Sequence, residues 1–146
     1  MSRLNDYDMI VFGGGIYAGH ISSIALVAKF PKKPLVIFTV GLADPAEVNF
    51  APILHKSLPP IRIKSSKFFH LRGGLDMERL SFLHRRVMKM LKKALDKKDA
   101  SQLRSEEAAI MQSAGGKVDF VSRDAVVPII EYVKQFEGGE NDGQQS

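Results

Sequence analysis

The 146-residue chain contains no cysteine. Disulfides, thiolate nucleophiles, cysteine-ligated zinc and iron–sulfur clusters are therefore excluded, and a reducing compartment suits the chain. Other chemistry-bearing patterns are missing as well. Four histidines, His20, His55, His70 and His84, form no metal spacing such as H-E-x-x-H, and no serine sits in a nucleophile-elbow pattern. Gly115-Gly116-Lys117 closes no phosphate loop, because Met111 stands where the first glycine is required and Val118 where Ser or Thr is. No apolar run approaches the ~20 residues of a spanning helix. The polar stretch from Met1 to Asp8 lacks a signal-peptide core. The expectation is one domain, cytoplasmic.

Acidic charge is scarce in one place only. Between Glu78 and Lys98 stand eight basic residues, Arg79, Arg85, Arg86, Lys89, Lys92, Lys93, Lys97 and Lys98, against Glu78 and Asp96. With a net charge of +5 for the whole chain, the remainder is close to neutral. The basicity belongs to one segment, so it argues for a local partner there and not for a nucleic-acid surface.

What is present has an α/β rhythm. Asp8 to Phe12, Leu35 to Val40 and Lys67 to Leu71 are short, mostly continuous apolar runs, the pattern of parallel strands covered on both faces. Between them, His20 to Phe30 carries Ile21, Ile24, Ala25 and Ala28 at helical spacing and stops at Pro31. Pro45 to Ser57 reads as a second helix with Asp44 as N-cap, although Pro52 weakens or kinks it. Beyond Gly73-Gly74 the pattern predicts a long helix over Met77 to Lys97, a short one over Ser105 to Ser113, and a last one from Arg123 to Phe136. Residues 1–137 then form one domain, with 77–97 as a basic amphipathic insertion and 138–146 as a disordered tail.

The first strand runs into Gly13-Gly14-Gly15-Ile16-Tyr17-Ala18-Gly19. Gly13, Gly15 and Ala18 match the spacing of a dinucleotide fingerprint, which also needs an acidic residue ending the next strand about 20 residues on. That strand ends Thr39-Val40-Gly41, and the dinucleotide reading fails.

Four blocks carry a resemblance. They are Tyr7-Asp8-Met9-Ile10-Val11-Phe12 with the glycine stretch to Gly19; Phe38-Thr39-Val40-Gly41-Leu42-Ala43-Asp44-Pro45; Phe68-Phe69-His70-Leu71-Arg72-Gly73-Gly74-Leu75-Asp76; and Met88-Lys89-Met90-Leu91-Lys92-Lys93. In this order they resemble flavodoxin-domain proteins, and within those the menaquinone-dependent protoporphyrinogen oxidase branch. The resemblance spans residues 6 to 136. It implies a flavodoxin-like three-layer α/β fold with a doubly wound parallel sheet, here truncated at the N-terminus to about three strands, and a heritage of FMN-based oxidoreduction or electron transfer. The first strand here matches the family's third, so the family's first strand, Ser/Thr-rich phosphate loop, first helix and second strand have no counterpart. A misassigned gene start explains this as well as a true truncation.

By the same resemblance, Gly13, Gly14, Gly15, Ile16, Tyr17, Ala18 and Gly19, with Gly41, Leu42, Ala43 and Asp44, correspond to the two loops that clasp the isoalloxazine of FMN, with Tyr17 as the stacking ring. The plain alternative is a pair of tight strand-to-helix turns. His20, next to the first loop, is the one histidine placed near such a ring. A strand that is central in the parent fold becomes an edge here, so Met9 to Phe12 should attract a second copy or a separate chain. On the basic helix, Leu80, Leu83, Val87, Leu91 and Leu95 share a face. This suits either packing on the domain or an anionic membrane surface at residues 78–98. The rival to a flavin-binding enzyme or electron-transfer domain is a flavin-free remnant that serves assembly or regulation.

Overall fold

The computed structural model describes residues 2–30, 33–113 and 116–141. Strand β1 (Ile10–Tyr17) is followed by a two-residue strand β2 (His20–Ile21) and one turn of helix, α1 (Ala25–Ala28). Strand β3 (Leu35–Gly41), helices α2 (Ala51–Ser57) and α3 (Pro60–Lys64), and strand β4 (Ser66–Arg72) complete the main sheet, ordered β2-β1-β3-β4. Strands β1, β3 and β4 are parallel, as their apolar runs require, whereas β2 pairs antiparallel with the end of β1.

Register sorts the side chains. Ile10, Phe12 and Gly14 align with Leu35, Ile37 and Thr39, and these with Ser66, Phe68 and His70. On this face Ile10, Leu35 and Ile37 join Ile21, Ile24, Val27 and Leu58 in the core, with Phe12, Ile53, Ile63 and Phe68 packed around them. Helices α1 to α3 therefore cover one face. Helix α6 (Val127–Asn141) covers the opposite one, where Tyr132 meets Phe69 edge-on at 6.2 Å. The result is a three-layer α/β domain with a mostly parallel sheet, as the strand pattern implied.

Several boundaries differ from expectation, each for a physical reason. The glycine stretch is no strand-to-helix loop: Gly13 to Gly15 stay extended and pair with Phe38 to Val40, and the chain reverses at Ala18 and Gly19. Both turn residues have positive φ, 48° and 76°, the backbone of a two-residue hairpin. That reversal consumes the start of the helix expected over His20 to Phe30 and leaves Ala25–Ala28. Asp44 does not cap α2. Its carboxylate accepts from the N–H of Ala46 in a local turn, and α2 begins at Ala51, where Pro52 falls in the first turn and its missing donor costs nothing. The last helix runs on to Asn141, past Phe136, and 142–146, the remainder of the expected tail, lie outside the described residues.

After β4 the chain builds a small cap. A ribbon of β5 (Gly74–Asp76) and β6 (Lys117–Asp119) carries helix α4 (Phe82–Leu95) and helix α5 (Ser105–Gln112). Helix α4 is shorter than the Met77 to Lys97 expected, and of its apolar residues Leu95 alone is buried. Phe82, Leu83, Val87, Met90 and Leu91 are all exposed.

Candidate functional site

Parallel strands offer ligands the crevice at their carboxyl ends. In this sheet the pairing of Gly15 with Val40 sets the β1–β2 hairpin tip next to the Gly41 to Asp44 loop at that end. On the face opposite the main core, Gly15 and Tyr17 alternate outward along β1, beside Val40 of β3. A methyl group placed on Gly15 would meet nothing within 4 Å. Tyr17 is 80% exposed and Val40 47%. The three form an open, apolar platform, bare at Gly15 and flanked by the exposed side chains of Tyr17 and Val40.

The remaining residues of the first stretch have other tasks. A side chain on Gly13 would run into the Phe38 ring, and Gly14 is hemmed in by Phe12, Ile21 and the Ser22 carbonyl. Ile16 is partly buried on the hairpin, and Ala18 and Gly19 make its turn. His20 is exposed, its Nδ1 3.0 Å from the Ala18 carbonyl oxygen, so it braces that turn.

The second loop is held firmly. Arg72, at the end of β4, donates to the Leu42 carbonyl through Nε and Nη2 at 3.3 and 3.2 Å, and pairs with Asp44 at 3.4 Å. Its guanidinium also lies 3.7 Å from the centre of the Phe120 ring. Ser105 Oγ, at the start of α5, accepts from the Asp44 N–H at 2.9 Å. The loop is thus pinned from β4, from α5 and from the residue after β6.

Sequence reasoning passed over His70 beneath this loop. Its ring stacks on Phe50 at 4.5 Å, its Nδ1 is 2.7 Å from Thr39 Oγ1, and its edge lies against Gly41. Nε2 is buried with no hydrogen-bond partner. Burial holds the imidazole below the ordinary histidine range; the Ala43 backbone and Glu106 oppose this in part, and Arg72 adds to it. An imidazole that burial biases toward its neutral form therefore sits under the pinned loop, against the Ala43 backbone. The available signal was His70 and Arg72 alternating on one face of β4, a pattern hidden inside an apolar run.

Neither loop contains a serine or threonine, so neither supplies the hydroxyls that usually help amides cradle a phosphate. The residues present fit a planar apolar ring and not its charged tail. Among the described residues no group of three His, Cys, Asp or Glu side chains could hold a metal ion, and no helix is long and apolar enough to cross a membrane.

No curated protein and no solved structure matches the chain. One family does: the flavodoxin domain, over residues 1–102, a span that takes in the whole main sheet, both loops and α4. The match reaches the family and not the protoporphyrinogen oxidase branch within it. A parallel sheet with helices on both faces and a match over most of its length make this chain a member of the flavodoxin-domain family.

Proposed function

We propose that the chain binds the isoalloxazine ring of FMN on the platform of Gly15, Tyr17 and Val40 and serves electron transfer. The observation that carries this reading is the open space over Gly15 beside an exposed tyrosine, at the carboxyl end of a parallel sheet. A bound flavin would supply the redox chemistry itself. The protein's share is placement. Gly15 admits close approach, Tyr17 offers an aromatic face, and Arg72 fixes the Leu42 to Asp44 backbone so that its remaining polar groups meet the ring edge without rearranging. Oxidation of a porphyrinogen, the activity of the branch named by resemblance, draws no support from the site, and the proposal stops at electron transfer.

The test is a titration of the chain with FMN and with riboflavin, followed by quenching of flavin fluorescence. Saturable quenching by both, with comparable affinity because the phosphate has no dedicated cradle, is the expected result. Tyr17→Ser should weaken it. A chain that quenches neither flavin is the flavin-free remnant.

The outer face of α4 favours a second reading for localisation. Phe82, Leu83, Val87, Met90 and Leu91 are exposed, and the Arg86 guanidinium lies 6.0 Å from the centre of the Phe82 ring, so an apolar face with a cation at its border is offered to an anionic membrane. Co-sedimentation with phosphatidylglycerol vesicles, absent with phosphatidylcholine vesicles and reduced by Leu83→Gln with Val87→Gln, would support it. Binding indifferent to lipid charge would defeat it.

A further inference from the structure

The side of α4 that faces the domain presents its charges to a cavity. Arg85, Lys89, Lys92 and Asp96 follow one another at intervals of four, three and four residues, so they share one side of the helix, with Lys93 next to them. All five border a cavity of about 740 Å³ between α4, α5 and the β5–β6 ribbon. Met77, Met88 and Ile110 give it an apolar floor, and Glu78 and Asp96 are its carboxylates.

Two further features set this cavity apart from an ordinary solvated helix face. Among the described residues, none of Arg85, Lys89, Lys92 and Lys93 forms an ion pair, although two carboxylates line the same cavity. Like charges four residues apart, as in Arg85–Lys89 and Lys89–Lys93, weaken a helix. The arrangement therefore carries a cost that a bound anion would remove. Arg85 is also already positioned. Its Nη2 donates to the carbonyls of Glu78 and Leu80 at 2.8 and 3.2 Å, while its Nε is buried and has no partner.

We propose that this cavity is a binding site for a soluble amphipathic anion, a phosphate- or carboxylate-bearing molecule whose apolar body rests on Met77, Met88 and Ile110. Arg85 and Lys92 grip the charged group, and Lys89 and Lys93 close over it. Charge-assisted bonds from a fixed guanidinium and mobile ammonium groups give the affinity, and the methionine floor selects for the apolar body. The site lies on the opposite side of α4 from its exposed apolar face and does not depend on flavin.

Calorimetric titration of the full chain with hexyl phosphate, inorganic phosphate and 1-hexanol tests it. Hexyl phosphate should bind saturably at one per chain, at least about tenfold more tightly than inorganic phosphate, and hexanol should not saturate. Lys89→Glu with Lys92→Glu should weaken hexyl phosphate by about tenfold or more. Arg86→Glu with Lys97→Glu, the same change of charge at residues that do not line the cavity, should leave it unchanged; circular dichroism of both variants verifies the fold. The milder Lys89→Gln with Lys92→Gln repeats the test should the glutamates unfold the cap. Equal losses in the two pairs would reduce the effect to bulk charge and overturn the proposal. So would inorganic phosphate binding as tightly as hexyl phosphate, or hexyl phosphate failing to saturate.

Discussion

The Phe38 ring lies over the backbone of Gly13, so close that a Cβ on Gly13 would stand 2.4 Å from Phe38 Cζ. Gly13 is therefore a packing glycine: the residue itself stays exposed, but the ring leaves no room for a side chain on it. Two positions along the same strand, Gly15 is open. Gly13→Ala should destabilise the fold by about 1–3 kcal/mol through overpacking, and adding Phe38→Leu should recover part of the loss. Gly15→Ala should leave stability nearly intact and weaken flavin quenching. Urea unfolding and the flavin titration, run on the same three proteins, separate the roles. Equal stability of Gly13→Ala and the parent would contradict the contact.

The hairpin turn is under mild strain. Ala18 adopts φ 48° and Gly19 φ 76°, the left-handed pair for which Asn-Gly is the favoured sequence. An alanine there costs roughly 1 kcal/mol that asparagine or glycine largely avoids. Ala18→Asn should raise stability by about that amount, and Gly19→Val should lower it by a similar or larger one. A drop in the urea midpoint for Ala18→Asn would argue against the turn.

His70 sets a pH dependence whose sign follows from burial. Its folded pKa lies below the ordinary 6.5, so the unfolded chain binds a proton more readily. The contribution to stability is whole above about pH 6.5 and declines as the pH falls through the folded value. Urea midpoints measured from pH 7.5 down to pH 5 should fall for the parent. His70→Asn should flatten part of that slope, whatever it does to stability at pH 7.5. An unaltered slope in the variant would remove His70 from the account.

The outer edge of β1 is capped only toward its end, where Ile16 and Tyr17 pair with β2 and the Gly15 carbonyl accepts from Ser22. Ile10 donates inward to the Pro34 carbonyl, whereas Gly15 accepts from Ser22 on the outer side, so Val11 and Gly13 turn their backbone groups outward with no strand beside them among the described residues. Val11 is also 49% exposed. Concentration-dependent self-association through this edge is the expectation, and Val11→Lys should suppress it. Light scattering that finds a monomer at every concentration would remove the edge as an interface.

The parallel strands were legible in the sequence because a continuous apolar run between glycine and proline has few other uses. Helix lengths were less so. Ile21 and Ile24 do point into the core, as their spacing implied, yet the hairpin at Ala18-Gly19 places Ile21 there on a strand. The glycine stretch looked like one loop because composition does not distinguish a glycine that makes room for Phe38 from one that opens a ligand face. The support beneath the second loop was invisible for another reason. Arg72, Phe120 and Ser105 converge from three separate segments, and no local pattern announces a long-range clamp.

Helix α4 gives a case of a periodicity that held only in part: of the five leucine and valine positions expected on one face, Leu80 lies before the helix and Leu95 is buried apart from the other three. Leu83, Val87 and Leu91 do share a stripe, but it faces outward at 69%, 55% and 40% exposure, and Leu95 at the helix end is 3% exposed. Leu83→Gln and Val87→Gln should therefore each change stability by no more than about 0.5 kcal/mol, as exposed positions do. Leu95→Ala should cost about 2–5 kcal/mol by opening a cavity. The contrast is sharper than either value, because a helix packed through its leucine stripe would show large losses at all three positions. Urea unfolding of the three single variants decides between the two orientations. It also shows whether the apolar face of α4 is free to meet a membrane while its basic side stays turned to the cavity.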